Sequence, residues 1–394
     1  MKIAFLTTQI NLKTGGGSNI VPDLKASSMQ SLGHQVSIIT LFPEKNSFYK
    51  KPSYAVIESP TRFKNWLMLQ IKILFILRKY ERDFDVFSFE GEHFIWGAGL
   101  YRMLKGRTPV LLHFNGFIYS IYEHGATYKA EKLPQKSLKG KISSWLRIFF
   151  EKKIGLVWAN HIDIFTATTP IIKEGMENFG LNKNKVVQLV DFADLEPFFK
   201  NNFARCTMPK DKINILFAGR FVPEKGPDVL LSAIKEMTGE NKNKILVHMV
   251  GAGPERERLV ELTKKYQIED KIIFYPWCDL ETLSNLYHCA DISIHPGRWM
   301  EPFSLIVPYA MASGLPVIVP EVSGSAWAAG EGGLTFKNGD YRDLKNKIEQ
   351  LVNNESLRKD LAKKGKKRAQ QLDYRNFVKT LEGLFVDLTT KKSS

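Results

Sequence analysis

Two kinds of apolar pattern alternate along this chain. Short apolar runs of four to six residues recur, and between them apolar positions return every three or four residues. The first pattern reads as a strand buried on both faces, and the second as a helix with one face on a core. Alternation of the two is the sequence form of a parallel sheet covered by helices. In the first half strands are predicted at 2–7, 35–41, 85–89, 109–113, 161–167 and 185–189, with helices at 19–32, 63–80, 94–104 and 143–157. The pattern lapses into a polar stretch around 194–212. A second series then places strands at 214–218, 245–250, 272–275, 292–295, 316–319 and 333–336. Two such series predict an α/β chain of two doubly wound, Rossmann-like domains, and 394 residues is length enough for both. Ligands of such sheets lie beyond the C-terminal strand ends, so two facing domains are expected to hold a ligand in the cleft between them.

Composition narrows the class. A hydrophobic fraction of 44% and a charged fraction of 25% belong to a soluble globular protein. The three cysteines form no CxxC pair and no zinc-site spacing, so neither a disulfide framework nor a structural zinc is expected, and a reducing cytoplasm fits. The opening MKIAFLTTQ reads as a strand and lacks the apolar stretch of a signal peptide. The most apolar segment, 66–77, is broken by Gln70 and Lys72 and is too short to span a bilayer, so a buried helix is expected there. The formal net charge of +15 raises nucleic acid as a partner. No nucleic-acid-binding signature accompanies it, and nucleic acid is not expected. The first 200 residues carry 27 basic against 17 acidic side chains. Eight of the basic ones lie in the stretch 129–153, which opens on Lys129 and closes on Lys153, and Trp145, Leu146, Phe149 and Phe150 are interleaved with them. This stretch suits the anionic inner face of a membrane, and equally the apolar stripe of an ordinary surface helix.

Three segments carry candidate chemistry. Gly15, Gly16 and Gly17 follow the first strand and precede a helix, where backbone amides can approach an anion closely. Contiguous glycines and a second strand ending in Thr40, Leu41 and Phe42 do not suit a dinucleotide fingerprint. Gly219, Arg220, Lys225 and Gly226 follow the first strand of the second series; two fixed cations there can hold a diphosphate. After the strand ending at His295 comes a loop with Glu301, and then a short helix predicted to start at Ser304–Leu305 with Pro308 in its first turn. The free amides of Phe303, Ser304 and Leu305 would point at an anion, and Gly314 is placed as the C′ residue that ends the helix.

FAGRFVPEKGPDVLLSAI, VGAGPERERL, the run from Phe274 through ADISIHP, and EPFSLIVPYAMASGLPVIV stand in order and spacing across the second half. With these, and with looser matches at GGGSN, LLHFNG and the terminal LDYRNFVKTLEGLF, the chain resembles family 4 glycosyltransferases of the GT-B fold. The resemblance implies retaining transfer from a nucleotide-diphosphate sugar to a glycan or lipid-linked acceptor, in cell-surface polysaccharide or glycolipid synthesis, with no metal or other cofactor. Carried over, Arg220 and Lys225 hold the diphosphate and Glu301 contacts the sugar hydroxyls. Gly219, Gly251 and the amides of Phe303, Ser304 and Leu305 belong to the donor site. The Gly15–Gly17 loop closes over the reacting centre, and His113 lines the acceptor side. Trp277 follows a strand end, where it lines either the base pocket or the core. The implied domains are 1–198 with a returning helix at 372–394, which bind the acceptor, and 199–371, which bind the donor.

The chain departs from the family pattern twice. Tyr309 stands where a second glutamate is expected to accept from the ribose hydroxyls, and a phenol offers less acceptor capacity. The segment Val322, Ser323, Gly324, Ser325, Ala326, Trp327 lacks the family's downstream glutamate. Two departures at one site leave a second reading open, a partner subunit that binds nucleotide without turnover. A sugar-nucleotide epimerase of the same fold is a third.

Overall fold

The computed structural model describes residues 1–12, 16–43, 51–61, 65–116, 118, 138–200, 208–298 and 300–390. It divides into two compact units, one of Met1–Phe192 with Tyr374–Ser394 and one of Ala193–Asp373. The sequence placed these boundaries at 198 and 371. The segment after Phe192 falls to the second unit because Leu195 and Phe198 are fully buried there. The Leu195 amide donates to Asp373, and the Phe198 ring stacks on Tyr309 with centroids 4.2 Å apart.

The first unit is built on seven parallel strands: β1 (Lys2–Thr7), β2 (Gln35–Thr40), β3 (Ala55–Glu58), β4 (Val86–Glu90), β5 (Val110–Phe114), β6 (Ile164–Ala167) and β7 (Val186–Gln188). Their spatial order is β3-β2-β1-β4-β5-β6-β7. Strands β1, β4 and β5 are buried almost throughout, which is why they read as mainly apolar runs and not as an apolar–polar alternation. Strand β3 was not predicted; it is a four-residue edge strand with no fully buried position, so it carries neither period clearly. The helix Val378–Thr390 returns to this unit, where Phe385 packs edge-on against Phe5 at 5.9 Å and Glu382 pairs with His34 at 3.0 Å.

The predicted helix at 63–80 runs Trp66–Tyr80, and the side chain of Asn65 caps it by accepting from the amides of Leu67 and Met68. Only one of its faces is buried, at Gln70, Ile73, Ile76 and Leu77; Leu67, Met68, Ile71 and Phe75 are exposed, which corrects the expectation of a buried helix. The helix predicted at 143–157 comprises Leu138–Phe150, a π-helical turn Glu151–Gly155 and a last turn Leu156–Ala159. Among the described residues no helix is long and apolar enough to cross a membrane.

The second unit has six parallel strands: β8 (Ile213–Ala218), β9 (Ile245–Val250), β10 (Ile272–Tyr275), β11 (Ile292–Ile294), β12 (Val317–Pro320) and β13 (Gly333–Phe336), ordered β10-β9-β8-β11-β12-β13. Its core gathers Ile215, Phe217, Leu230, Val247, Ile294 and Ile318. In each unit the order reverses beside the first strand, between β1 and β4 and between β8 and β11. Such a reversal leaves a crevice at the C-terminal strand ends, because the flanking loops diverge to opposite faces of the sheet. Both units therefore have the architecture predicted for them. Cys278 is a free thiol, whereas Cys289 is disulfide-bonded, a departure from the expectation drawn from three scattered cysteines.

Candidate functional site

The crevice of the second unit opens where β8 and β11 end, so Gly219 and Arg220 leave one wall and His295 the other. After β8 the chain makes a short turn, Pro223–Lys225, before the helix Pro227–Lys235. Gly226 joins them with φ 63°, and a Cβ there would lie 2.1 Å from the Pro296 carbonyl oxygen. Only glycine allows the two loops this approach. Gly251 does the same on the other side, where a Cβ would sit 1.9 Å from the Gly219 carbonyl oxygen. Asp228 lies in the first turn of the helix and does not cap it; Arg298 forks onto its carboxylate at 2.5 and 2.7 Å, and Arg258 adds a contact at 3.4 Å. Burial alone would raise the Asp228 carboxyl, but these guanidinium groups hold it below the usual range.

Bracing the loops in this way brings Lys225, His295 and Glu301 together. Lys225 donates to Oε1 of Glu301, and His295 Nε2 lies 2.5 Å from Oε2. Burial opposes the charge on Glu301, yet Lys225 and His295 outweigh it, so its carboxyl titrates well below the ordinary carboxylate range. Glu301 keeps a fifth of its side chain exposed, as does Lys225. Arg220 is exposed, and its guanidinium has no hydrogen-bond or ion-pair partner among the described residues. The site thus combines a free cation, a paired cation and an ionised carboxylate.

The loop carrying Glu301 is clamped by the Gly324 amide, which donates to the Glu301 carbonyl at 2.7 Å. The helix beyond it is short, Ile306–Ala312, one residue later than predicted. The amides of Phe303, Ser304 and Leu305 have no acceptor among the described residues, and the side chains of Phe303 and Ser304 are buried. Gly314 ends the helix with φ 85°: its amide donates to Met311, and that of Leu315 to Ala310, the paired bonds of a Schellman motif. Trp277 is exposed beyond the end of β10 and is not part of the core.

Tyr309 is placed differently from the residue it replaces in the pattern. Its ring is 3% exposed and stacks on Phe198, and its hydroxyl is buried without a hydrogen-bond partner among the described residues. Burial, with the Asp194 charge behind it, pushes the phenol well above its usual range. The side chain is sealed into the unit and does not stand open to a ligand.

In the first unit the crevice lies between the ends of β1 and β4. Gly16 precedes the fifteen-residue helix Gly17–Ser31 as its N-cap, without a side-chain cap; Gly15 lies outside the described residues. The helix carries Lys25, which is fully buried and pairs with Glu90 at 2.8 Å. The other oxygen of Glu90 is buried with no partner among the described residues. In register beside Glu90 on β5 is His113, and beside His113 on β6 is Thr166. Thr166 reaches His113 Nδ1 at 2.8 Å, and Asp191 reaches Nε2 at 2.8 Å. His113 is fully buried, and both its ring nitrogens are engaged, so the group with remaining acceptor capacity at the end of this chain is the Asp191 carboxylate. Sequence reading gave no role to Asp191, Glu90 or His295. Their signal was polar residues closing apolar strands. Among the described residues no group of three or more His, Cys, Asp or Glu side chains is disposed to hold a metal ion.

Comparison with known proteins matches both halves. Residues 15–196 match the family described as Glycosyltransferase Family 4, and residues 198–368 match Glycosyl transferases group 1. Over 360 residues the chain is 23% identical to an uncharacterized glycosyltransferase, MJ1069, of Methanocaldococcus jannaschii, covering 86% of this chain and 83% of that protein. A D-inositol 3-phosphate glycosyltransferase of Streptomyces bingchenggensis is 33% identical over 169 residues, which is 40% of this chain and only 37% of that relative. Among solved structures, sucrose-phosphate synthase of Thermosynechococcus elongatus superposes with a TM-score of 0.81 at 21% identity, covering 99% of both chains. Anabaena HepE, solved in complex with UDP, gives 0.75 at 14% identity, covering 98% of this chain and 100% of that one. These likenesses show the GT-B fold. With a sheet of the right order in each unit and a family match over each half, the chain belongs to the family 4 glycosyltransferases.

Proposed function

We propose that this glycosyltransferase moves a sugar, with retention and without a metal, from a nucleotide-diphosphate sugar to a hydroxyl of a glycan or lipid-linked acceptor. The observation that carries the reading is Arg220, an unpartnered cation in the same crevice as the Lys225–Glu301–His295 cluster. A diphosphate entering there meets two cations and the free amides of Phe303, Ser304 and Leu305. Together these supply the neutralisation that a metal gives in other transferases. Glu301, kept ionised, accepts hydrogen bonds from sugar hydroxyls and holds the ring in place. Attack from the face of the leaving group forms the bond from acceptor oxygen to anomeric carbon. The bond from that carbon to the β-phosphate oxygen breaks, and the acceptor proton passes to the departing diphosphate. His113 in this reading acts through Asp191, whose carboxylate it holds at 2.8 Å. Structures of one neighbour, Anabaena HepE, with UDP, with UDP and glucose, and with UDP-glucose put uridine donors first in the search. A relative named for lipopolysaccharide core biosynthesis supports a cell-surface setting, with the enzyme on the cytoplasmic side.

The test is thermal stabilisation of the purified chain by UDP-, GDP-, ADP- and dTDP-sugars, followed by transfer assays with and without chelator. One nucleotide class is expected to raise the melting temperature. Arg220→Ala should weaken its binding about ten- to a hundredfold, the loss of one charge-assisted contact. No stabilisation by any nucleotide would sink the donor reading. Stabilisation without transfer to any acceptor would favour the partner subunit, to which the sealed Tyr309 also points.

A further inference from the structure

The carboxylate of Glu301 is held at both oxygens, and its two holders are differently placed. Lys225 donates to Oε1, and His295 Nε2 lies 2.5 Å from Oε2. A fifth of the Lys225 side chain is exposed, whereas that of His295 is buried, at 3%. An ionised carboxylate only accepts hydrogen bonds, so Nε2 carries the proton and donates it. The other ring nitrogen, Nδ1, is buried and has no partner among the described residues. Oε2 of Glu301 is therefore the one polar atom among the described residues that this ring engages.

The main chain around Glu301 is fixed by other bonds. The Gly324 amide donates to the Glu301 carbonyl at 2.7 Å, and the Arg298 amide to the Glu224 carbonyl at 3.0 Å. Arg298 also forks onto Asp228. His295 directly follows β11, and its own amide donates to Ile318 of β12 at 2.9 Å. With the loop braced at these points, the bond from His295 to a side chain six positions further on sets the rotation of the carboxylate. Lys225 cannot set it alone, because an ammonium is a point charge on a flexible four-carbon stem. In the donor reading Lys225 also has a second task, since two of its three N–H groups remain for the diphosphate. When the diphosphate draws on Lys225, the holder that stays in place is the buried, planar imidazole.

We infer that His295 is a positioning residue for sugar transfer: it holds Oε2 of Glu301, so that Oε1 is left to the sugar hydroxyls while Lys225 is shared with the diphosphate. The inference rests on the donor reading and deepens it by dividing the site according to the parts of the ligand. Arg220 and Lys225 serve the diphosphate, whereas His295 serves the sugar alone and does so through Glu301. Altering His295 leaves the bare nucleotide where it was and removes what the sugar adds.

The test is titration of the full chain with UDP, GDP, ADP and dTDP and with their hexose conjugates, followed by turnover of the conjugates with water as acceptor. In His295→Leu the affinity for the bare nucleotide is expected to match wild type. The gain in affinity from the sugar, and kcat for hydrolysis, should each fall about tenfold or more, the loss of one hydrogen bond to a charged group. His295→Gln carries an amide nitrogen as far along its side chain as Nε2 and should restore most of both. His295→Asn, whose amide stands nearer the position of Nδ1, should not. Arg220→Ala, in contrast, should weaken bare nucleotide and conjugate alike. A His295→Leu protein with the sugar gain and turnover of wild type would overturn the inference. So would one that loses affinity for the bare nucleotide in equal measure, since His295 would then support the whole loop. Should His295→Leu fail to fold, the comparison of Gln with Asn decides, and equal behaviour of those two overturns the inference. A wild type that binds nucleotide but gains nothing from any sugar and hydrolyses none would overturn it while leaving the diphosphate site standing. No binding of any nucleotide would remove the donor reading and this inference with it.

Discussion

A buried polar atom is most informative when its partners are counted. The Tyr309 hydroxyl has none among the described residues, so removing it costs no hydrogen bond. Tyr309→Phe is expected to leave stability unchanged or raised by up to about 1 kcal/mol, read from chemical denaturation. Tyr309→Glu restores the carboxylate of the family pattern but buries it against Phe198. The expected loss is on the order of 3–5 kcal/mol, not a gain in nucleotide affinity. His248 offers a titration. It is buried between Asn214 and Tyr275, each at 3.0 Å, and burial lowers its pKa to about 4. The unfolded chain, with a pKa of about 6.5, binds more protons between these values, so the stabilisation is present above about pH 6.5 and is lost as pH falls toward 4. The full drop is about 3 kcal/mol, and a His248→Gln variant should show a flatter slope of unfolding free energy across that window. Arg220, Lys225 and Glu301 were legible because charged residues beside glycines at strand ends have few structural uses. The pairing of His113 with Asp191 was not, since the two are separated by 78 positions and only the sheet brings them together.

At the scale of elements, the strand pattern was legible wherever both faces are covered. It failed at β3, whose edge position removes the apolar run that would announce it. The helix Trp66–Tyr80 was legible as a helix but not in its exposure, because periodicity identifies an apolar face and cannot say what, if anything, covers it. The loops are held as closely as the strands. Gly226→Ala places a methyl group against the Pro296 carbonyl at a positive φ, so the turn bearing Lys225 must move away from Glu301. The expected result is a loss of about 1–3 kcal/mol of stability, with nucleotide affinity weakened in the same variant. A melting temperature and a nucleotide titration check both. Unchanged affinity would mean that Lys225 tolerates displacement and is not a donor contact.

For the whole molecule, the two-part division was legible from the break in pattern, but the place of the break was not. The polar stretch hides Leu195 and Phe198, apolar residues that commit it to the second unit. The last helix is a structural part of the first. Phe385→Ala empties the space against Phe5 and is expected to destabilise the first unit by about 3–5 kcal/mol. Nucleotide affinity, read from titration of the folded protein, should be unchanged, since Phe385 lies in the other unit from Arg220 and Lys225. A weakened affinity would show that the helix supports the donor site as well.

The return of that helix also sets an order of manufacture. Ribosomes release Phe5 before Phe385, with the whole of the second unit between them. At roughly 5–20 residues per second, β1 waits about 20–80 seconds for the side chain that covers it. The second unit emerges in one continuous stretch and can close as it leaves the tunnel. The unit begun first is the one completed last, and during that interval its uncovered sheet face is where chaperones would be needed.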